Sequence, residues 1–424
     1  MNLPLGYRKV GQLLVMVAFV LSSCSKYKEL DAVGDKRITV FEEESIRFEP
    51  DMMEGKPLLE AENGVVRLES GRMLLKKVTL PHYLRETKAS IKIILTSAGD
   101  PWDKSGSAFV LPKAAPETLM QLAKKELKLK GAETEGEIFP GIVKEEGYIP
   151  SLELMRFMTP FGVGHYSESG GEMDFRKPVY IPHWEHEVVW EEDITKLLPE
   201  LEDEVWVGVW IDTWTKEGYK LSMELDFDES ELAVEQKKRR FVTPVLNTVP
   251  YMGPIKHYDG FSKNDLTLSF EVPEGAKHVQ LAYITTGHGG HAKGDEFVKE
   301  ENILSLDGEP LYRFFPWRDD CASFRRFNPH SGTWQIKRST KVRDKSTKQL
   351  VETEIEEFQA SSDLSRSNWC PGSSVTPLMI PLVGVEAGQH TLTISIPDAQ
   401  PLDTEKNEFN HWLVSAYLVG EMAE

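Results

Sequence analysis

Ala89-Ser90-Ile91-Lys92-Ile93-Ile94-Leu95-Thr96 runs directly into Gly99-Asp100-Pro101-Trp102-Asp103-Lys104. The first stretch alternates as a half-buried strand does, and the second breaks it with Gly and Pro. Similar strand-like runs fill the chain: Arg37 to Phe41, Val65 to Glu69, Val205 to Trp210, Lys220 to Phe227, Leu266 to Val272, His278 to Ile284, Thr391 to Ile396 and His411 to Val419. Turn residues separate them, which argues an all-β chain built from β-sandwiches. The length suits two domains. The basic run Lys237-Lys238-Arg239-Arg240 reads as a solvated linker, and Pro250 to Gly260 as the opening of a second sandwich. The boundary falls near Val242, giving domains 37–241 and 242–424. Pro116 to Leu127 departs from the pattern: Pro near the start, an acid in the first turn, later lysines and helically spaced Leu predict a short inserted helix. Lys337 to Ser361 is charged and weakly patterned, and reads as a second insertion.

The chain begins with Arg8 and Lys9, an apolar run from Leu13 to Leu21, and then small residues. That run is shorter than the about 20 apolar residues a membrane span needs, so it reads as an export signal. Leu21-Ser22-Ser23-Cys24 resembles a bacterial lipobox, with residues 1–23 removed, Cys24 lipidated and 24–36 serving as a tether. The expectation is an outer-membrane lipoprotein of a Gram-negative-type bacterium, held to the membrane through Cys24. Removing Arg8 and Lys9 takes the formal charge from −19 to −21. Such an acidic chain lacks the clustered positive charge that phosphate backbones require, so nucleic acid is not expected as a partner. Cys321 and Cys370 remain, and in an exported chain a disulfide is the natural reading.

Two more segments share the character of Trp102-Asp103: Trp210-Ile211-Asp212-Thr213-Trp214 at a strand end, and Gly287-His288-Gly289-Gly290-His291-Ala292-Lys293-Gly294-Asp295-Glu296-Phe297 in a Gly-rich loop. A carboxylate beside an aromatic ring where a strand runs into a loop is a common way to meet a sugar face. Three such places suggest one shared cleft. With Arg156-Phe157-Met158-Thr159-Pro160 and Arg366-Ser367-Asn368-Trp369-Cys370-Pro371-Gly372, taken in this order, they resemble the peptide:N-glycosidase F family of bacterial amidases. The likeness covers most of the chain from about Lys36 onward. It implies two eight-stranded antiparallel jelly rolls side by side, with the active site between them and a disulfide at Cys321 and Cys370. Further cysteine pairs of the family's best-known form are absent here.

The resemblance also implies a reaction: hydrolysis of the amide joining an Asn side chain to the first N-acetylglucosamine of an N-glycoprotein or N-glycopeptide. That chemistry needs an activated water, donors for the oxyanion and an aromatic-walled cleft, and calls for no metal or cofactor. Asp103 matches the family's essential Asp, and Glu296 its second essential carboxylate, although Asp295, Glu300 and Glu301 compete on sequence alone. Asp212, counted with Asp103 and Glu296 among the catalytic carboxylates, matches a Glu of the best-known member, one methylene longer, so glycans with an α1,3-linked core fucose are expected to fit. Trp102, Trp214, Trp369, His288 and His291 are the expected substrate contacts, with a buried core position the competing reading for Trp214. Asp100 reads as a turn residue. Arg366 is the candidate donor to the oxyanion or to a carboxylate, against a plain surface Arg. A monomer is expected.

Two alternatives stand beside this reading. His183-Trp184-Glu185-His186 and His288-Gly289-Gly290-His291 have the spacing of paired metal ligands, and copper monooxygenases share the double jelly-roll architecture. The fuller histidine and methionine set of those enzymes is missing. A glycan-binding sandwich without catalysis would need aromatics but not three converging acids.

Overall fold

A computed structural model describes residues 29–423 apart from 62, 117, 169–180, 253–256 and 292. The expected export signal and Cys24 lie outside the described residues. Leu30 to Lys36, expected as tether, are instead fastened to the first domain. Leu30 N–H donates to Ala233 at 2.8 Å, and the Arg85 guanidinium donates to the Leu30 carbonyl. Among the described residues no helix is long and apolar enough to cross a membrane.

The chain is a pair of antiparallel β-sandwiches, and all nine expected strands are present. The first sandwich packs a four-stranded sheet (Lys36–Ile46, Tyr219–Glu229, Thr87–Ser97, Val188–Asp193, in spatial order) against a seven-stranded one. The larger sheet orders Leu59–Glu60, Val65–Leu68, Met73–Leu80, Asp203–Ile211, Ser105–Val110, Leu152–Met158 and Ser374–Val375. Three of those strands are only two to four residues long, which carries this sandwich past eight strands. The second sandwich has two sheets of four: Arg240–Asn247, His411–Met422, Ala276–His288, Leu378–Pro381, and Leu266–Val272, Gly388–Ser395, Asn302–Leu306, Glu309–Phe314.

Burial follows from position. Thr87–Ser97 alternates cleanly, turning Ala89, Ile91, Ile93 and Leu95 into the first core. Leu152–Met158 is buried at every residue, as is the Leu281–His288 end of the strand Ala276–His288. These strands are covered on both faces because the two sandwiches meet there. Ser374–Val375, from the second half of the chain, pairs with Arg156 and Phe157 and so extends the first half's sheet.

Three local expectations need adjusting. The helix covers only Thr118–Ala123, because Lys125 turns left-handed (φ 62°) and ends it before Leu127. The basic run is not freely solvated: Arg240 opens a strand, and Lys237, Lys238 and Arg240 pair with Glu202, Glu421 and Glu86. The insertion at 337–361 lies in a two-stranded ribbon, Thr333–Arg343 against Leu350–Ala360. Its basic strand meets its acidic strand, with Lys337 3.5 Å from Glu354 and Arg338 3.1 Å from Glu357. The ribbon stands inside the loop closed by the Cys321–Cys370 disulfide, whose Cα atoms are 5.1 Å apart. Closing a loop of 49 residues' separation stabilises the fold by about 4 kcal/mol in the chain-entropy model.

Candidate active site

The turn after Thr87–Ser97 is built by Asp100. Its carboxylate accepts from the Trp102 amide at 2.9 Å and from the hydroxyls of Thr213 at 2.6 Å and Thr215 at 3.0 Å. Asp100 is thus a turn residue and more: fully buried, it joins the loop carrying Asp103 to the loop carrying Asp212. Thr159 and Tyr219 complete the clamp. The Lys104 amide donates to Thr159 Oγ1 at 2.8 Å, and the Tyr219 hydroxyl donates to the Trp102 carbonyl at 2.7 Å. Trp102 and Asp103 are held in the mouth of the cleft, with Trp102 54% exposed.

The Gly-rich loop reaches the same place from the second sandwich. Gly289 (φ 143°) admits no side chain, since a Cβ would lie 2.2 Å from Asn410 Oδ1, and a Cβ on Gly294 would come equally close to the Gly289 carbonyl oxygen. Asn410 fastens the loop by accepting from the Asp295 amide at 3.3 Å and contacting His291 Nε2 at 3.1 Å. Asp295 turns inward, where its carboxylate accepts from the Gln400 amide at 3.0 Å. Glu296 faces the other way, toward Arg366. Among the competing acids the geometry thereby separates Glu296 from Asp295, and Glu301 is engaged on the surface by Arg313 at 2.6 Å.

Arg366 is the hinge of the arrangement. It is 1% exposed, which excludes the surface reading. Its Nε donates to Glu296 Oε1 at 2.9 Å, and its Nη2 lies 3.6 Å from Asp103 Oδ2. Nη1 donates to the Leu364 carbonyl at 2.9 Å. Phe297 and Trp369 flank the guanidinium at 5.1 and 4.8 Å. Trp369 is buried, with its indole N–H donating to the Gly287 carbonyl at 2.9 Å, so it supports Arg366 from beneath. Burial pushes the Glu296 carboxyl up to about 7, against the pull of Arg366 and with added repulsion from Asp103. Burial likewise raises Asp103, while Arg366 and Lys104 oppose the rise. Two carboxyls sharing one guanidinium, both raised, can hold and pass a proton near neutral pH.

Asp212 forms a second, more open cluster. Its Oδ1 accepts from Arg72 at 3.2 Å and from the Trp214 indole at 3.0 Å, and its Oδ2 lies 3.8 Å from His257 Nε2. Trp214 is 54% exposed and packs on Arg72 and Phe48 at 4.1 and 5.1 Å, so it lines open space and not a sandwich core. Between the clusters runs a stack of rings: Trp369 to His288 at 5.4 Å, His288 to His411 at 5.1 Å, and His411 to His257 at 4.1 Å. Burial lowers all three imidazoles.

The histidine pairs do not converge. His183 and His186 are exposed, while His288 and His291 turn to Thr286 and Asn410. Among the described residues no group of three or more His, Cys, Asp or Glu side chains is placed to hold a metal.

Residues 37–227 match the family model of the peptide-N-glycosidase F N-terminal part, and residues 256–419 that of the C-terminal part. The chain belongs to the peptide-N-glycosidase F family. No curated protein sequence matches it. Among solved structures, two crystal forms of PNGF-II are 32% identical with a TM-score of 0.75, and the match covers 92% of this chain. The match takes in 66% and 65% of those chains, so this chain spans about two thirds of their length. A crystal structure of a peptide-N(4)-(N-acetyl-beta-D-glucosaminyl) asparagine amidase matches at 14% identity and a TM-score of 0.57, over 92% of this chain and 96% of that one. PNGase F from Flavobacterium meningosepticum, described as a glycosylasparaginase, matches at 14% identity and 0.56 over the same shares. The last two speak to the shared fold.

Proposed function

We propose that this peptide-N-glycosidase F family member hydrolyses the amide between asparagine and the first N-acetylglucosamine of N-glycoproteins or N-glycopeptides. The observation that carries the proposal is the pairing of Asp103 and Glu296 around the buried Arg366, at a cleft lined by the exposed Trp102 and Trp214. Asp103 takes a proton from water as it attacks the amide carbon. The Arg366 guanidinium, which stays charged throughout, faces the charge that develops. The proton then passes to the departing nitrogen as the C–N bond breaks. The products are Asp and a glycosylamine, with water supplying the oxygen and the proton. Glu296, with its carboxyl held near 7, holds the shared water or relays that proton. Asp212 and Trp214 grip the first sugars. Incubating an N-glycopeptide and measuring masses tests the reading: conversion of Asn to Asp with release of the intact glycan supports it, and an unchanged glycopeptide contradicts it.

Two finer points belong to the same proposal. Asp212 is one methylene, about 1.5 Å, shorter than Glu, which leaves room beside the 3-hydroxyl of the innermost sugar for an α1,3-linked fucose. Comparing release from an α1,3-fucosylated glycopeptide and its defucosylated twin tests this, and inertness toward the first defeats it. Export as a monomeric protein anchored in the outer membrane through a lipid on Cys24 would show as fatty-acid labelling that Cys24→Ser abolishes.

A further inference from the structure

The mechanism leaves one buried ion pair unused. Arg156 and Glu153, both on Leu152–Met158, pair through two contacts, at 2.9 Å and 2.6 Å. Both side chains are essentially inaccessible. Glu153 also accepts from Ser107 Oγ at 2.7 Å on the neighbouring strand, and the other bonds cross into the second sandwich. Arg156 donates to the Leu413 carbonyl at 2.6 Å and to Ser415 Oγ at 3.0 Å, and Ser415 donates to Glu153 at 2.5 Å. Such a pair costs desolvation and is weak as a source of stability. What it supplies here is direction, because Arg156 Nη1 also reaches Thr286 Oγ1 at 3.3 Å, and Thr286 Oγ1 lies 2.8 Å from His288 Nε2.

Donor and acceptor accounting gives that chain a direction. A guanidinium only donates, so Thr286 Oγ1 accepts from Arg156. Thr286 Oγ1 keeps a second lone pair, but its own proton is fully buried and has no acceptor other than His288 Nε2 among the described residues, which points to donation from Thr286 to Nε2. Nε2 therefore bears no hydrogen, and the ring proton sits on Nδ1. Among the described residues Nδ1 has no protein partner, although His288 is only 8% exposed. The ring is clamped between Trp369 and His411, Trp369 also flanks the Arg366 that holds Glu296, and a Cβ on Gly290, two residues on, would lie 3.8 Å from Glu296 Oε2. Burial and the Arg156 charge also keep this imidazole neutral.

We propose that Arg156 and Thr286 are positioning residues that lock His288 in its Nδ1–H tautomer, so that a neutral N–H donor stands beside Glu296 for an acceptor oxygen of the substrate. The substrate half of this proposal rests on the amidase reading, whereas the tautomer half does not. The first sandwich thus fixes a proton in the second through the domain interface.

Nitrogen-15 NMR of histidine-labelled wild-type protein tests the tautomer with no substrate present. His288 is expected to show an unprotonated Nε2 and a protonated Nδ1 that persist from about pH 6 to 8, the range where free imidazole titrates. An Nε2–H tautomer, or ordinary titration, overturns the proposal. Thr286→Val should release the lock, giving mixed tautomers and about a tenfold slower glycan release, the scale of one lost hydrogen bond. Thr286→Ser should restore both. A Thr286→Val protein that is folded and retains the wild-type spectrum would refute the relay, and restored tautomer without restored rate would refute the substrate contact. Should Thr286→Val fail to fold, the wild-type spectrum and Thr286→Ser decide the question alone.

Discussion

The two acidic clusters differ in how deeply the guanidinium between their carboxylates is buried. Asp103 and Glu296 share a single guanidinium that is itself buried, so one positive charge faces two carboxyls and burial raises both. Asp212 shares the less deeply buried Arg72 with Glu69, gains an indole N–H, and stands beside an exposed tryptophan. The first cluster is built on the more deeply buried guanidinium, holds two carboxyls raised by burial, and is therefore suited to moving protons. The second has an indole N–H on its carboxylate and is half open, which suits a fixed contact to a sugar. Substitutions should separate them as chemistry and grip.

The largest expected effect is on the first cluster. Asp103→Asn and Glu296→Gln should each lower kcat at least about a hundredfold, the usual contribution of a general acid or base. The double variant should be scarcely worse than either alone, since both act through Arg366. Steady-state kinetics on one N-glycopeptide checks this, and additive losses would mean that the two carboxyls work independently. At the second cluster Asp212→Asn should raise KM about tenfold with little change in kcat, a loss of uniform binding. Asp212→Glu sharpens the same contrast, because it should slow release of α1,3-fucosylated glycans selectively.

The smallest effect concerns stability. Glu296, Asp295 and Glu300 are each raised to about 7, mainly by burial. The folded state then binds protons more tightly than the unfolded chain. The corresponding stability is fully present below the unfolded carboxyl range near pH 4, and is lost as pH rises through about 7. Melting temperature should accordingly fall between about pH 5 and pH 8, and Glu296→Gln should reduce that fall. A melting temperature that rises over this interval in wild type would show that the three carboxyls are not held protonated.

The strands were legible because alternation is local, and the carboxylates because each sits beside an aromatic residue at a strand end. The support for these groups left no such trace. Arg72 meets Asp212 across 140 residues of sequence, and His257 and Thr286 carry no motif of their own. Asp100 looked like a turn former since its Asx bond to Trp102 is local, whereas its bonds to Thr213 and Thr215 are not. The ribbon at 333–360 was illegible for another reason: its order lies in charge complementarity between strands, with Lys337 and Arg338 facing Glu354 and Glu357, and not in alternation along either one. The helix was overextended because Glu126 and Leu127 fit its period, while the chain has already turned at Lys125.

The most direct test of the division between chemistry and grip is single-turnover release at saturating N-glycopeptide, comparing Glu296→Gln with Asp212→Asn. The predicted result is a rate lowered at least about a hundredfold for Glu296→Gln and near wild type for Asp212→Asn. A near-normal rate for Glu296→Gln, with the loss falling on Asp212→Asn, would contradict the assignment and move the chemistry to the Arg72 cluster.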